Sequence, residues 1–236
     1  MFEREFDWMQ FNPFLMRQRF GESGRKTIAI DASHISKSGK KTPYIGRFWS
    51  GCVSAMKRGL EILGIGIIDI DNRDCMMLRA EQTPDKAYLE KQGEDYVDCY
   101  LNVLRKYKDN LHGITRYVVA DAWSSKAKFV NDAFLLGFHV ISRLRDDASL
   151  WYSLNGIRKG KRGRLRIKDE KIDFEKLNLQ CCEILGIEGG RAYSVKSYSK
   201  AMKRNIKVVI HYPKSGGHKI YFSTDLDMSS KDIIEY

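Results

Sequence analysis

Apolar and polar positions along this chain fall into blocks that read as strands, then strands alternating with helices, then strands again. Residues 27–30 form a short apolar run, which predicts a buried strand carrying Asp31 at its carboxyl end. A polar loop with Ser33, Lys37, Ser38, Gly39, Lys40 and Lys41 follows. Residues 47–57 are rich in small side chains and read as a linker that includes Arg47, Trp49 and Cys52. Residues 60–71 are nearly all apolar and β-branched, and Gly64 and Gly66 argue against helix, so they predict a second, buried strand. A turn at residues 72–74 and a third strand at 75–80 complete an antiparallel hairpin.

The period then changes. Thr83, Pro84 and Asp85 are a helix start signal, and apolar residues recur at three-and-four spacing from Leu89 to Tyr107, which predicts one helix to about Lys108. Tyr117–Ala120 is a fourth strand that ends at Asp121. Ser124 or Ser125 caps the next expected helix, Phe129, Val130, Ala133 and Phe134 form its buried stripe, and Gly137 closes it. Residues 138–144 are a fifth strand. After Asp147 come short strands at 150–154, 164–168, 181–187, 192–198, 206–212 and 219–224, separated by glycine-rich or basic turns. Ser229 and Ser230 open a last helix, and the chain ends inside it at Tyr236. The sum is an α/β architecture, a mixed sheet with packed helices and a mainly β insertion. Residues 1–25 read as a leader with a short helix at 14–20, 26–149 as the core, 150–224 as the insertion and 225–236 as the start of a further helix.

Composition narrows the partners. No apolar run approaches the ~18 residues of a membrane helix, and the acidic start is not a secretory signal. Five cysteines without a CxxC spacing predict reduced thiols and a cytoplasmic protein. The formal net charge is +11. Residues 151–224 hold 17 Lys/Arg and 6 Asp/Glu, so the whole excess sits there while the remainder balances. Charge segregated in this way suits a polyanion. Arg158, Lys159, Lys161, Arg162 and Arg164 lie in a run of seven basic residues without an acid, and Lys203 and Arg204 in a second acid-free stretch. Lys37, Lys40, Lys41 and Arg47 flank Asp31. All eleven are candidate DNA contacts, against the plainer reading of solvated loops.

Asp31 and Asp121 stand at the ends of two apolar strands, where open α/β sheets place their ligands. If those strands are neighbours, the carboxylates lie side by side and repel unless a cation joins them. Oxygen-only ligands favour Mg²⁺ or Mn²⁺ over zinc. The plainer alternative is that each aspartate caps a turn. An Asp-x-Asp phosphatase reading loses its general acid to Ser33 in the third position and is discounted. Trp151, Tyr152, Tyr193 and Tyr198 read as core before base-stacking groups, Trp123 as packing that braces Asp121, and His34 as a loop residue. Asp146 and Asp147 read as salt-bridge partners of Arg143 or Arg145, and Asp225 and Asp227 as caps of the final helix.

The stretches IDASHISKSGKKTPYIGRFWSG, VVADAWSSKAKFVNDAFLLGFHVISRLRDDASLWY and YFSTDLDMSSKDIIEY resemble, in that order, the DDE transposases of bacterial insertion sequences of the insertion-sequence-four type. The resemblance covers residues 25–236. It implies a ribonuclease-H-like catalytic domain with a β-rich insertion, Asp31 and Asp121 as the first two catalytic, metal-holding acids, and Mg²⁺ or Mn²⁺ as cofactor. It also implies double-stranded DNA as substrate, a homodimer on DNA, and a place in the bacterial nucleoid. The family's third acid is a Glu in a Tyr-x2-Arg-x3-Glu-x6-Lys motif, and this sequence ends at or just before that Tyr; Glu235 stands too early for the role. Two alternatives stay open: another ribonuclease-H-fold nuclease, and a DNA-binding remnant without strong cleavage. DNA affinity is expected to fall steeply with salt. Neutralising Arg158, Lys159, Lys161 and Arg162 together should flatten the slope of log affinity against log salt, and an unchanged slope would place the DNA elsewhere.

Overall fold

The computed structural model describes residues 6–39, 41–154, 168–187 and 189–236. The chain is α/β and divides into two compact units, Met1–Ala120 with Leu135–Phe138, and Asp121–Phe134 with His139–Tyr236.

In the first unit the sheet is built around β1 (Lys26–Ser36) and the long β3 (Ala55–Asp69). These run antiparallel in unbroken register from Lys26↔Asp69 to Ser36↔Gly59. On the other side β1 meets β5 (Tyr117–Ala120) in a short parallel ladder, Ile28↔Val118 to Ile30↔Ala120. The amino-terminal part of β3 forms a hairpin with β2 (Gly46–Ser50), and the rest of β3 forms one with β4 (Asp74–Thr83). The residues expected to be a linker are therefore mostly β2 and the start of β3. Phe48, 2% exposed, anchors them, and the sequence reading missed β2 because only one of its faces is apolar.

Strand β3 also corrects an expectation. Its apolar run is buried on one face only: Leu63, Ile65 and Ile67 are enclosed, while Ile62, Gly64, Gly66 and Ile68 are half-buried. Period-two alternation puts Gly64 and Gly66 on the more open face. The enclosed face receives the helices. The Tyr100 hydroxyl donates to Glu61 Oε1 at 2.7 Å, and Tyr96 packs on Phe48 with ring centroids 6.0 Å apart.

The single helix expected after Asp85 is three segments, α2 (Lys86–Gln92), α3 (Tyr96–Lys106) and α4 (Lys108–His112). Asp85 caps α2 as expected, but Gly93 adopts the left-handed conformation and closes it, and a reciprocal Asp95/Asp98 capping box opens α3. Helix α1 (Trp8–Phe20) packs on β4, and Met9, Met16 and Phe20 are buried.

In the second unit, β6 (His139–Leu144), β7 (Leu150–Ser153), β8 (Lys168–Lys171), β9 (Glu183–Leu185), β10 (Gly190–Ser199), β11 (Arg204–Pro213) and β12 (Lys219–Ser223) are joined antiparallel among the described residues. The order is β6-β12-β11-β10-β7-β8, with β9 also on β10. Ile206, Val208, Val209 and Ile210 on β11 are buried on both faces. Helix α5 (Ala127–Leu135) buries Phe129, Val130 and Ala133, whereas Phe134 is exposed at its outer edge. Helix α6 (Ser230–Glu235) is capped by Ser229, not by Asp225 or Asp227; the Asp225 carboxylate instead accepts the Asp227 N–H. The strand expected at 164–168 falls mostly outside the described residues.

The β1–β3 ladder is tight at its far end. A Cβ on Gly59 would overlap the Ile35 carbonyl oxygen and His34 Nε2. Gly59→Ala is therefore expected to destabilise the fold by about 1–3 kcal/mol, read as a lower urea midpoint. An unchanged midpoint would show that the ladder relaxes there freely.

Candidate functional site

Asp31 lies inside β1, five residues before its end, and not at a strand terminus. The reason is that the two sides of β1 stop at different places. The parallel ladder to β5 ends at Ile30↔Ala120, while the antiparallel ladder to β3 continues to Ser36. Asp31 is thus the first residue of β1 beyond its parallel neighbour. Its carboxylate is exposed, and Ser33 Oγ stands 3.4 Å from Oδ2, a weak contact. Across the antiparallel ladder it faces Gly64, which offers no side chain to crowd it.

Asp121 directly follows the last residue of β5 and is also exposed. The alternative role, a cap, is realised: Oδ1 accepts from the N–H and the hydroxyl of Ser124, each at 3.2 Å, and so opens a 3-10 turn (Ala122–Ser125). Those bonds leave Oδ2 out. Ser142 Oγ donates to the Asp121 carbonyl at 2.9 Å, and Ser124 and Ser142 are both buried. The aspartate is therefore the cap of this turn, and two serines hold it from side chain and main chain. Ser142 was not singled out from sequence; a serine inside an apolar strand was the available signal.

The donor chemistry of both acids, exposed carboxylate oxygens, fits a hard divalent cation. Among the described residues, no three His, Cys, Asp or Glu side chains gather into a group able to hold a metal.

Next to Asp121, a cavity of about 460 Å³ is lined by Ala122, Arg143, Leu144, Arg145, Asp146 and Asp147. Arg143 pairs with Asp146 at 2.9 Å and Arg145 with Asp147 at 3.2 Å, as the sequence suggested. Trp123 is 40% exposed, with Lys126 Nζ 3.6 Å from its ring centroid.

Of the basic candidates, Lys37, Lys41, Arg47 and Lys203 are exposed. Arg204 is half-buried, its guanidinium 3.5 Å from the Phe134 ring centroid, and burial lowers its pKa. Lys40, Arg158, Lys159, Lys161, Arg162 and Arg164 lie outside the described residues. Tyr152 is core, its hydroxyl accepting the Asn178 N–H at 2.8 Å. Tyr193 packs edge-on against Tyr212, and Trp151 lies under Lys168 Nζ at 4.2 Å.

The sequence reading passed over Glu61. It is 8% exposed in β3, opposite His34, which is a strand residue and not part of a loop. Nε2 of His34 is enclosed without a hydrogen-bond partner among the described residues. Burial pushes the Glu61 carboxyl above its ordinary value, and the Tyr100 hydroxyl opposes that shift. A lone acid inside an apolar strand was the signal that could have found it.

A scan of protein-family models and a search of curated proteins found no match for the chain. Among the described residues no helix is long and apolar enough to cross a membrane.

Because Glu61 holds its proton longer in the folded state, its contribution to stability falls as pH rises from 4.5 through the raised folded value. Glu61→Gln keeps an acceptor for Tyr100 and removes that loss. Its urea midpoint should gain on the wild type between pH 4.5 and 7, and parallel profiles would refute the assignment. Tyr100→Phe should cost about 1–3 kcal/mol at pH 7.

Proposed function

We propose that the chain is the catalytic region of a DNA transposase of the DDE type, acting on phosphodiester bonds with Asp31 and Asp121 as its metal-holding acids. The observation that carries this reading is the β1–β5 ladder: its last pair is Ile30↔Ala120, and the next residue of each chain segment is an aspartate. An acid directly after the last pair of a parallel ladder, on each of its two strands, suits a ligand site better than two unrelated turn caps. The excess of cations in residues 151–224 and the exposed Lys37, Lys41 and Arg47 support a polyanionic substrate.

Divalent ions held by these oxygens would activate a water and stabilise the leaving oxygen of a phosphodiester. The chain's own residues prepare for that. Ser124 orients the Asp121 carboxylate, Ser142 fixes its main chain, and Gly64 leaves room beside Asp31. Lys37, Lys41 and Arg47 would neutralise phosphates of the strand as it leads away from the bond that breaks.

Two readouts test the proposal. Mn²⁺ binding, followed by the relaxation of water protons, should weaken at least about tenfold in Asp31→Asn and in Asp121→Asn. Nicking of supercoiled plasmid should require Mg²⁺ or Mn²⁺ and disappear in both variants. Nicking that survives both changes, or Mn²⁺ affinity that neither alters, removes the reading.

A further inference from the structure

The β2–β3 hairpin has two unlike faces. In its ladder Arg47 lies opposite Arg58 and Trp49 opposite Met56. Directly opposed residues of an antiparallel pair share a face, as do residues two apart along a strand. Arg47, Trp49, Met56 and Arg58 therefore form one surface. Phe48 points the other way, into the core against Tyr96. The open surface continues along β3 through Leu60 and Ile62 to Gly64, and across the ladder to Ile35, Ser33 and Asp31.

Three features of this surface call for a ligand. Two arginines are directly opposite one another in the ladder, a pairing of like charges that costs stability on its own. Arg58 Nη2 donates to the Gly39 carbonyl at 2.8 Å and Arg47 Nη2 to the Met56 carbonyl at 3.3 Å, and among the described residues neither pairs with a carboxylate. Residues 32–60 themselves contain six Lys/Arg and no Asp or Glu. Beside the arginines lie an indole that is 58% exposed and a methionine that is 46% exposed. Uncompensated cations next to an open aromatic platform suit a ligand with regularly spaced negative charges and flat apolar faces.

We infer that this hairpin face binds an unpaired strand of DNA, with a base stacked on Trp49 and phosphates on Arg47 and Arg58, the strand leading away from Asp31. The inference deepens the transposase reading and takes from it only the choice of DNA. Arg58 is six residues along β3 from Gly64, the partner of Asp31, which is roughly 20 Å at about 3.3 Å per residue. That distance is about six base steps of 3.4 Å from a bond held at Asp31.

The test is fluorescence anisotropy of a labelled twelve-residue oligothymidylate with the full chain in EDTA. Trp49→Ala should weaken binding roughly tenfold, and Trp49→Phe, which keeps an aromatic face, should stay within about threefold of wild type. Changing Arg47 and Arg58 together to Ala should lower the slope of log affinity against log salt by about 1.4. A duplex of the same length should be bound equally by wild type and Trp49→Ala. Trp49→Ala binding as well as wild type, equal losses in Trp49→Ala and Trp49→Phe, or a duplex loss as large as the single-strand loss would each overturn the inference. Binding in EDTA needs no metal, so loss of metal-dependent nicking by the wild-type chain would remove the catalytic reading and leave this measurement untouched.

Discussion

The unequal reach of the two ladders on β1 is the constraint from which the rest of the first unit follows. On one side β3 pairs with every residue of β1 from Lys26 to Ser36; on the other, β5 pairs with only three. A strand whose two neighbours stop at different places keeps a straight, fully supported backbone on one flank and an unpaired flank on the other. Asp31 sits at that transition. Its main chain is held by β3 while its carboxylate remains exposed, a combination of rigid support and open access that a loop aspartate would lack.

The division of the sheet into a helix-covered face and an open face decides which polar groups are structural. Glu61, on the covered face, is tied to Tyr100, and Glu81 to Arg79, Lys106 and Tyr107. These carboxylates are held by partners from the helices and from their own strand. Asp31 and Ser33, on the open face, are not enclosed in this way. One strand step changes the register between the two kinds of environment, because side chains alternate from face to face. The same alternation separates Phe48, sealed against Tyr96, from Arg47 and Trp49 on either side of it.

In the second unit the strands after residue 147 add onto the edge of β6 through β12, and β11 forms the buried centre of that sheet. What reads along the sequence as a separate β-rich segment is continuous with the strand that follows α5. Asp121 begins this unit, and the serines that hold it come from the turn it caps and from β6.

Local pattern alone determined some of the strands and caps. Tyr117–Ala120 was legible to the residue because β-branched residues fill it and a polar turn follows, and Asp85 and Ser229 were legible as caps from their spacing to the apolar run. The candidate aspartates were legible too, as acids beside apolar strands, and so were the Arg143–Asp146 and Arg145–Asp147 pairs. Tertiary structure decided what depends on partners distant in sequence: that β1 runs on past Asp31, that β3 is buried on one face only, that residues 47–57 form a hairpin, and that Glu61 meets Tyr100. The physical reason is that propensity and periodicity act over a few residues. How far a strand extends, and which of its faces is sealed, is fixed by the neighbour it pairs with and by the helices laid against it.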